Sequence, residues 1–188
     1  MNTFLHTMAA RKDPTANGTI TFRGNQHEEF PRCADLYGNW LTEITFHKCS
    51  ILFIPDCIGN CLLLEKISFN GCMEFTHFTP SLGRLSRLRS LFVVDCAVFS
   101  GFPDSVEQLT SLRHLQIKKC GRLTCLPESL GNLHELATLY ISDCASLVRL
   151  PDSILYHNRN EHPFHLASLK IDISINFESI LSLPTDFA

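Results

Sequence analysis

Nine cysteines and nine histidines among 188 residues are the side chains with the most chemistry to offer. Thiolates and imidazoles can hold zinc, and together they can act as nucleophile and base. Their spacing decides between such roles. Cys57-x-x-x-Cys61 has a loosely zinc-like interval, but no second pair and no histidine cluster lies in register with it, so no metal site is expected. Five other cysteines, Cys49, Cys72, Cys96, Cys120 and Cys144, follow one another at intervals of 23, 24, 24 and 24 residues. A nucleophilic site needs nucleophile, base and orienting group converging in one pocket, whereas residues one period apart spread along a surface. His47 and His114 fall on outward strand positions, and His157, His162 and His165 fall together in one irregular stretch. No glycine-rich elbow, paired-acid motif or G-x-x-x-x-G-K-[ST] phosphate loop is present, and the chain has no Gly-Lys pair. The reading is therefore no catalytic residue, no cofactor, no small-molecule substrate, and no enzyme.

The cysteines are the last letter of a longer repeat. L-x-x-L-x-L-x-x-C recurs as Leu41-Ile44-Phe46-Cys49, Leu64-Ile67-Phe69-Cys72, Leu88-Leu91-Val93-Cys96, Leu112-Leu115-Ile117-Cys120 and Leu136-Leu139-Ile141-Cys144. A sixth copy, Leu166-Leu169-Ile171, ends in Ser174, and a weak copy, Ile20-Phe22-Asn25, lies upstream. The second half of each unit repeats as well. Three residues after the cysteine stands an apolar residue (Leu52, Phe75, Phe99, Leu123, Leu147, and Phe177 in the sixth copy), expected in the core. An apolar-Pro pair follows in most units, as in Ile54-Pro55, Phe102-Pro103, Leu126-Pro127 and Leu150-Pro151, and another apolar residue comes three places later. The second unit departs, with Thr79-Pro80 and a displaced Leu82.

A unit this short cannot bury its apolar face alone, so neighbouring units must stack into one continuous core. The alternating L-x-L stretch makes a short strand, and successive strands stack in parallel about 4.8 Å apart. Proline lacks the backbone donor a sheet interior requires, which places the second half of each unit in an irregular return segment with about one helical or 3₁₀ turn. The expected fold is an α/β leucine-rich-repeat solenoid. It is a horseshoe arc with a parallel β-sheet on the concave face and irregular, 3₁₀ and short helical segments on the convex side. Residues 1–16 read as an irregular N-terminal segment and 17–188 as the repeat domain, with a polar insert at 155–165 looping out between the last units. The cysteines at the repeat position turn inward after the strand, where a thiol can bond weakly to neighbouring backbone. They are expected to be free and buried, as suits a reducing cytosol.

The composition narrows the partners. A formal net charge of -3, with pI near 6.3, leaves no basic footprint for nucleic acid or an anionic membrane surface. No apolar run approaches the ~18 residues a membrane span needs, and Met1–Arg11 lacks a charged leader before an apolar stretch. What remains is a protein partner. Along each strand the residues between the motif positions point outward. In successive units one outward row reads Thr21, Thr45, Ser68, Phe92, Gln116, Tyr140, Lys170. The next reads Arg23, His47, Asn70, Val94, Lys118, Ser142, Asp172. Apolar Phe92, Val94 and Tyr140 stand where solvent favours polar groups, beside Gln116 and Lys118. The expected concave contact surface is therefore His47, Asn70, Phe92, Val94, Gln116, Lys118, Tyr140 and Ser142.

L-x-x-L-x-I-x-x-C-x-x-L-x-x-L-P-x-x-L, as it runs from Leu112 to Leu130, resembles the leucine-rich-repeat domain of plant intracellular nucleotide-binding disease resistance proteins. The resemblance covers about residues 17–188 and is tightest over 109–154. The G-x-I-P turn after an asparagine, typical of plant cell-surface receptor repeats, is missing, and the ladder position holds cysteine where scaffold proteins of the Ras-signalling type usually hold asparagine. The resemblance implies a ligand-sensing or autoinhibitory recognition region acting in defence in the cytoplasm. Its partner would be a pathogen effector, a host protein or an adjacent nucleotide-binding domain. The alternative is a stand-alone intracellular scaffold or adaptor in signalling or ubiquitin ligation.

Overall fold

A computed structural model describes residues 18–24, 40–155 and 168–171 of the chain. The expectations for residues 1–16, for Asn25, for the insert after Leu155, for His157, His162 and His165, and for Leu166, Ser174, Phe177 and Asp172 lie outside these residues.

Seven strands form one parallel sheet in chain order: β1 (Thr19–Arg23), β2 (Glu43–His47), β3 (Lys66–Asn70), β4 (Ser90–Val94), β5 (His114–Lys118), β6 (Thr138–Ser142) and β7 (Ser168–Ile171). Their register follows from the repeat. Ile44, Ile67, Leu91, Leu115, Leu139 and Leu169 pair across the sheet, as do Phe46, Phe69, Val93, Ile117, Ile141 and Ile171. From β2 to β6 both rows face inward and are essentially solvent-free. A one-residue slip would move every one of these side chains to the solvent side, so burial locks the register.

Each strand from β1 to β6 is followed by a residue with positive φ: Gly24, Lys48, Gly71, Asp95, Lys119 and Asp143, with φ of +54° at Lys48 and +69° at Gly71. For residues with a side chain this conformation costs about 1–2 kcal/mol. The gain is visible in the backbone bonds. The amide of Lys48 donates to Asn70 O at 2.7 Å, Gly71 to Val94 O, Asp95 to Lys118 O and Lys119 to Ser142 O, which extends the ladder one residue past the strand. The same turn drops the next residue, the repeat cysteine, into the interior. Cys72, Cys96, Cys120 and Cys144 are wholly buried and Cys49 nearly so, and all are free thiols. Each Sγ lies within weak donor reach of the carbonyl two residues earlier, from 3.4 Å at Val94 O to 3.9 Å at Asn70 O.

Opposite the sheet, 3₁₀ turns Asp56–Asn60, Pro80–Arg84, Asp104–Gln108 and Glu128–Asn132 stack on one another, followed by one α-helical turn, Asp152–Leu155. Two details differ from the sequence reading. Leu82 is not displaced: it is buried one period after Ile58 and one before Val106, and Phe78 fills the buried slot before the turn. It is the proline that moved, to the first position of its turn, where a missing N–H leaves nothing unbonded. Leu52, expected in the core, is 55% exposed, and Ile51 is buried in its place. The interval Cys49–Cys72 is one residue short. The bond from Thr76 N to Leu52 O aligns Leu52 with Thr76, so the missing residue falls between Cys49 and Ile51.

The core is aromatic at one end and aliphatic at the other. Phe22, Phe46, Phe69 and Phe75 stack in succession, with centroids 5.1, 4.7 and 4.0 Å apart, and Phe78, Phe99 and Phe102 pack edge and face against them. Beyond them Leu123, Leu126, Leu147 and Leu150 take over the same layer. The return turns approach closely where glycine allows it. A Cβ on Gly83 would stand 2.5 Å from Ser105 O, and Ser105 Oγ donates to Pro80 O at 2.8 Å across the same junction. Ser153 Oγ makes the matching bond to Glu128 O. Ser129 sits at the equivalent place but faces Glu107 instead of glycine, and its buried hydroxyl has no partner.

Candidate functional site: the outward face of the sheet

The side chains between the buried rows form three parallel columns on the outer face. The central column runs Thr45, Ser68, Phe92, Gln116, Tyr140 in direct cross-strand register. Phe92 and Tyr140 are half-buried rather than enclosed, because a strand interior gives each side chain a neighbour on both sides and none above. They lie two strands apart, about 10 Å at sheet spacing, with Gln116 between them. Such rings present large, stiff contact area with few rotatable bonds.

The candidate residues are placed as follows. His47 is half-buried at the end of β2 and Asn70 exposed at the end of β3; Val94 and Lys118 are half-buried in the same column of β4 and β5. Phe92, Gln116 and Tyr140 form the central row beside them. Ser142 does not belong to the surface. It is fully buried, with Oγ 3.5 Å from Asp143 Oδ2. Its side chain is only two heavy atoms long and sits beside Lys118 at the end of β6, too short to clear its surroundings.

Two participants escaped the sequence reading. Lys66 Nζ contacts Glu43 Oε1 at 2.6 Å and lies 5.9 Å from the centroid of the Phe92 ring, so one lysine joins a carboxylate and an aromatic face. A cation over a phenyl ring contributes about 0.5–1 kcal/mol at an exposed site. The signal was available: Glu43 and Lys66 occupy the same register position in successive units. Further along the edge, Glu65–Arg89 and Arg113–Glu135 contact at 3.7 and 3.2 Å, exposed pairs worth little in stability. On the return side, Glu128 and Asn132 are both engaged. Glu128 Oε2 accepts from Ser153 N at 3.2 Å, and Asn132 Nδ2 donates to Glu107 Oε2 at 2.8 Å.

Among the described residues no set of three or more His, Cys, Asp or Glu side chains is arranged to bind an ion. Burial, with a smaller contribution from neighbouring Cys57, pushes the Cys61 thiol up to about 11, so it stays protonated and unreactive at neutral pH. In the ladder, hydrogen bonding pairs the thiols. Cys96 is raised by its bond to Cys72 and Cys120 by its bond to Cys144, the raised member of each pair keeping its proton. Cys72 and Cys144, bonded in turn by Cys96 and Cys120, are shifted downward. Thr76 Oγ1 lies 2.8 Å from His77 Nδ1, on the open return side. Among the described residues no helix is long and apolar enough to cross a membrane.

Stacked units, one parallel sheet and 3₁₀ returns make this chain a leucine-rich-repeat solenoid. No protein-family model matches the sequence, and no curated protein matches it. Solved structures similar to it are leucine-rich-repeat proteins. A leucine-rich-repeat protein of Leptospira interrogans aligns with TM-score 0.49 and 15% identity over 82% of this chain and 47% of that one. The leucine-rich-repeat domain of the type III effector XopL aligns with TM-score 0.38 and 15% identity, over 86% of this chain and 78% of that one. The ectodomain of a plant membrane receptor kinase from Arabidopsis thaliana, in complex with CASPARIAN STRIP INTEGRITY FACTOR 2, aligns with TM-score 0.38 and 20% identity, over 70% and 18%. The chain thus spans about half the length of the first of these proteins.

Proposed function

We propose that residues 17–188 act as one protein-recognition domain, without catalytic activity, and that the outward face of the sheet is its contact surface. The observation that carries this is the half-buried row Phe92–Gln116–Tyr140, flanked by Val94 and Lys118, on a sheet whose register is locked by burial. Aromatic anchors beside polar groups are the composition that dominates interface energetics. The finer reading is the ligand-sensing or autoinhibitory region of a plant disease resistance protein, acting in the cytoplasm on a pathogen effector, a host protein or an adjoining nucleotide-binding domain. Its support is the cysteine-ended L-P repeat from Leu112 to Leu130 and the free thiols that go with it.

The test begins with a two-hybrid or pull-down screen using the intact chain as bait. Replacing Phe92 and Tyr140 together with alanine is expected to weaken the captured partner by more than about 2 kcal/mol while the unfolding midpoint stays within error. Arg149→Ala, on the exposed return side, is expected to change nothing. A partner that tolerates the aromatic pair's removal but is lost with Arg149 would place recognition on the opposite side.

A further inference from the structure

The charge on the recognition face differs from that of the whole chain. The chain carries a formal net charge of -3. Among the described outward positions of β1 to β6, by contrast, Arg23, Lys66 and Lys118 are cationic and Glu43 is the single carboxylate. Glu43 is already matched by Lys66, which also leans over Phe92. The turn row bordering the face adds no net charge, with Lys48 and Lys119 against Asp95 and Asp143. Among the described residues Lys118 pairs with no carboxylate.

Lys118 also stands where a partner must cover it. It flanks Val94 in register and lies one strand from Tyr140 and two positions from Gln116 on its own strand. A segment lying along Phe92, Gln116 and Tyr140 would take the ammonium of half-buried Lys118 out of water. Desolvating an unpaired charge is costly, so the covering surface has to bring an opposite one. The aromatic row asks for apolar side chains and the lysine beside it for a carboxylate. We infer that the partner of this face is a protein segment interspersing apolar or aromatic side chains with carboxylates, seated along the Phe92–Gln116–Tyr140 row with an acidic residue on Lys118. This rests on the protein-recognition reading above and adds the partner's chemistry to it.

The experiment uses the full chain and a fluorescein-labelled peptide alternating glutamate with phenylalanine and leucine. The same peptide with lysine for glutamate and a single-stranded oligonucleotide are the comparisons, all read by fluorescence anisotropy. The acidic peptide is expected to bind with an affinity that falls as salt is raised. Lys118→Glu is expected to weaken it at least about tenfold, and Lys118→Gln by less, because reversal adds repulsion to the lost attraction. Arg149→Glu controls for a general change in charge, and circular dichroism checks that each variant is folded. Absence of binding, equal binding of the lysine peptide, tighter binding of the oligonucleotide, or indifference to Lys118→Glu would each overturn the inference. A screened partner lost on Phe92→Ala/Tyr140→Ala but indifferent to Lys118→Glu would leave the recognition row standing and remove only its acidic ligand. Indifference to both would remove both.

Discussion

Gly83→Ala tests how the return side sets the solenoid's geometry. Gly83 lies in the 3₁₀ turn Pro80–Arg84, and a Cβ there would stand 2.5 Å from Ser105 O, 2.7 Å from Gln108 Oε1 and 2.9 Å from Ser105 Cβ. The Gln108 side chain can swing away. The Ser105 backbone cannot move as cheaply, because its hydroxyl is tied to Pro80 O at 2.8 Å and its turn packs against the next. Restoring ordinary contact at 3.4 Å requires the two turns to separate by about 0.9 Å, the difference between 3.4 and 2.5. Overpacking of this kind costs about 1–3 kcal/mol. The alanine returns about 0.4–1 kcal/mol by restricting the unfolded chain. The expected net loss is about 1–2 kcal/mol, read as a lower urea midpoint by circular dichroism. Gly121→Ala is the comparison: its Cβ would meet only Ala97 O, at 3.7 Å, so its midpoint should hold within about 0.5 kcal/mol. Gly59→Ala, whose nearest contact would be 2.9 Å, should fall between the two. Equal midpoints for Gly83→Ala and Gly121→Ala would refute the claim that turn-to-turn contact limits this side.

Three further outcomes are expected. Leu115→Ala should destabilise by about 2–5 kcal/mol, as buried large-to-small changes do, while Gln116→Ala stays within about 0.5 kcal/mol; equal losses in denaturant titration would mean the strand phase is wrong. In native protein, exposed Cys125 should react with a thiol reagent at once, whereas Cys72, Cys96, Cys120 and Cys144 react only after unfolding; rapid modification of all of them, followed by mass spectrometry, would contradict the buried ladder. Stability should fall in alkali. Cys61 has a folded value raised from 9.0 to about 11, so its contribution is fully present below pH 9 and is lost as the pH rises toward 11. Urea midpoints across that window should fall less steeply for Cys61→Ala than for the parent chain, and parallel slopes would exclude this thiol as a cause.

The amino-acid sequence by itself determined the fold and its phase. A period of 23–24 residues, with apolar positions spaced for a short strand, admits one solution: parallel strands in register with the apolar rows inside. It also determined that the ladder cysteines are structural, since five residues one period apart stack in one file instead of meeting in a pocket. The outward row through Phe92, Gln116 and Tyr140 was legible for the same reason, because side chains alternate across a strand. Tertiary structure decided what depends on neighbours in space. Ser142 lies at an outward position by alternation yet is buried, because exposure depends on side-chain length against its surroundings as well as on direction. Ile51 takes the core place that motif counting gave to Leu52, because the bond from Thr76 N fixes where the missing residue falls. The grip of Lys66 on both Glu43 and Phe92 joins three strands, and only the stacking of those strands brings the groups within reach.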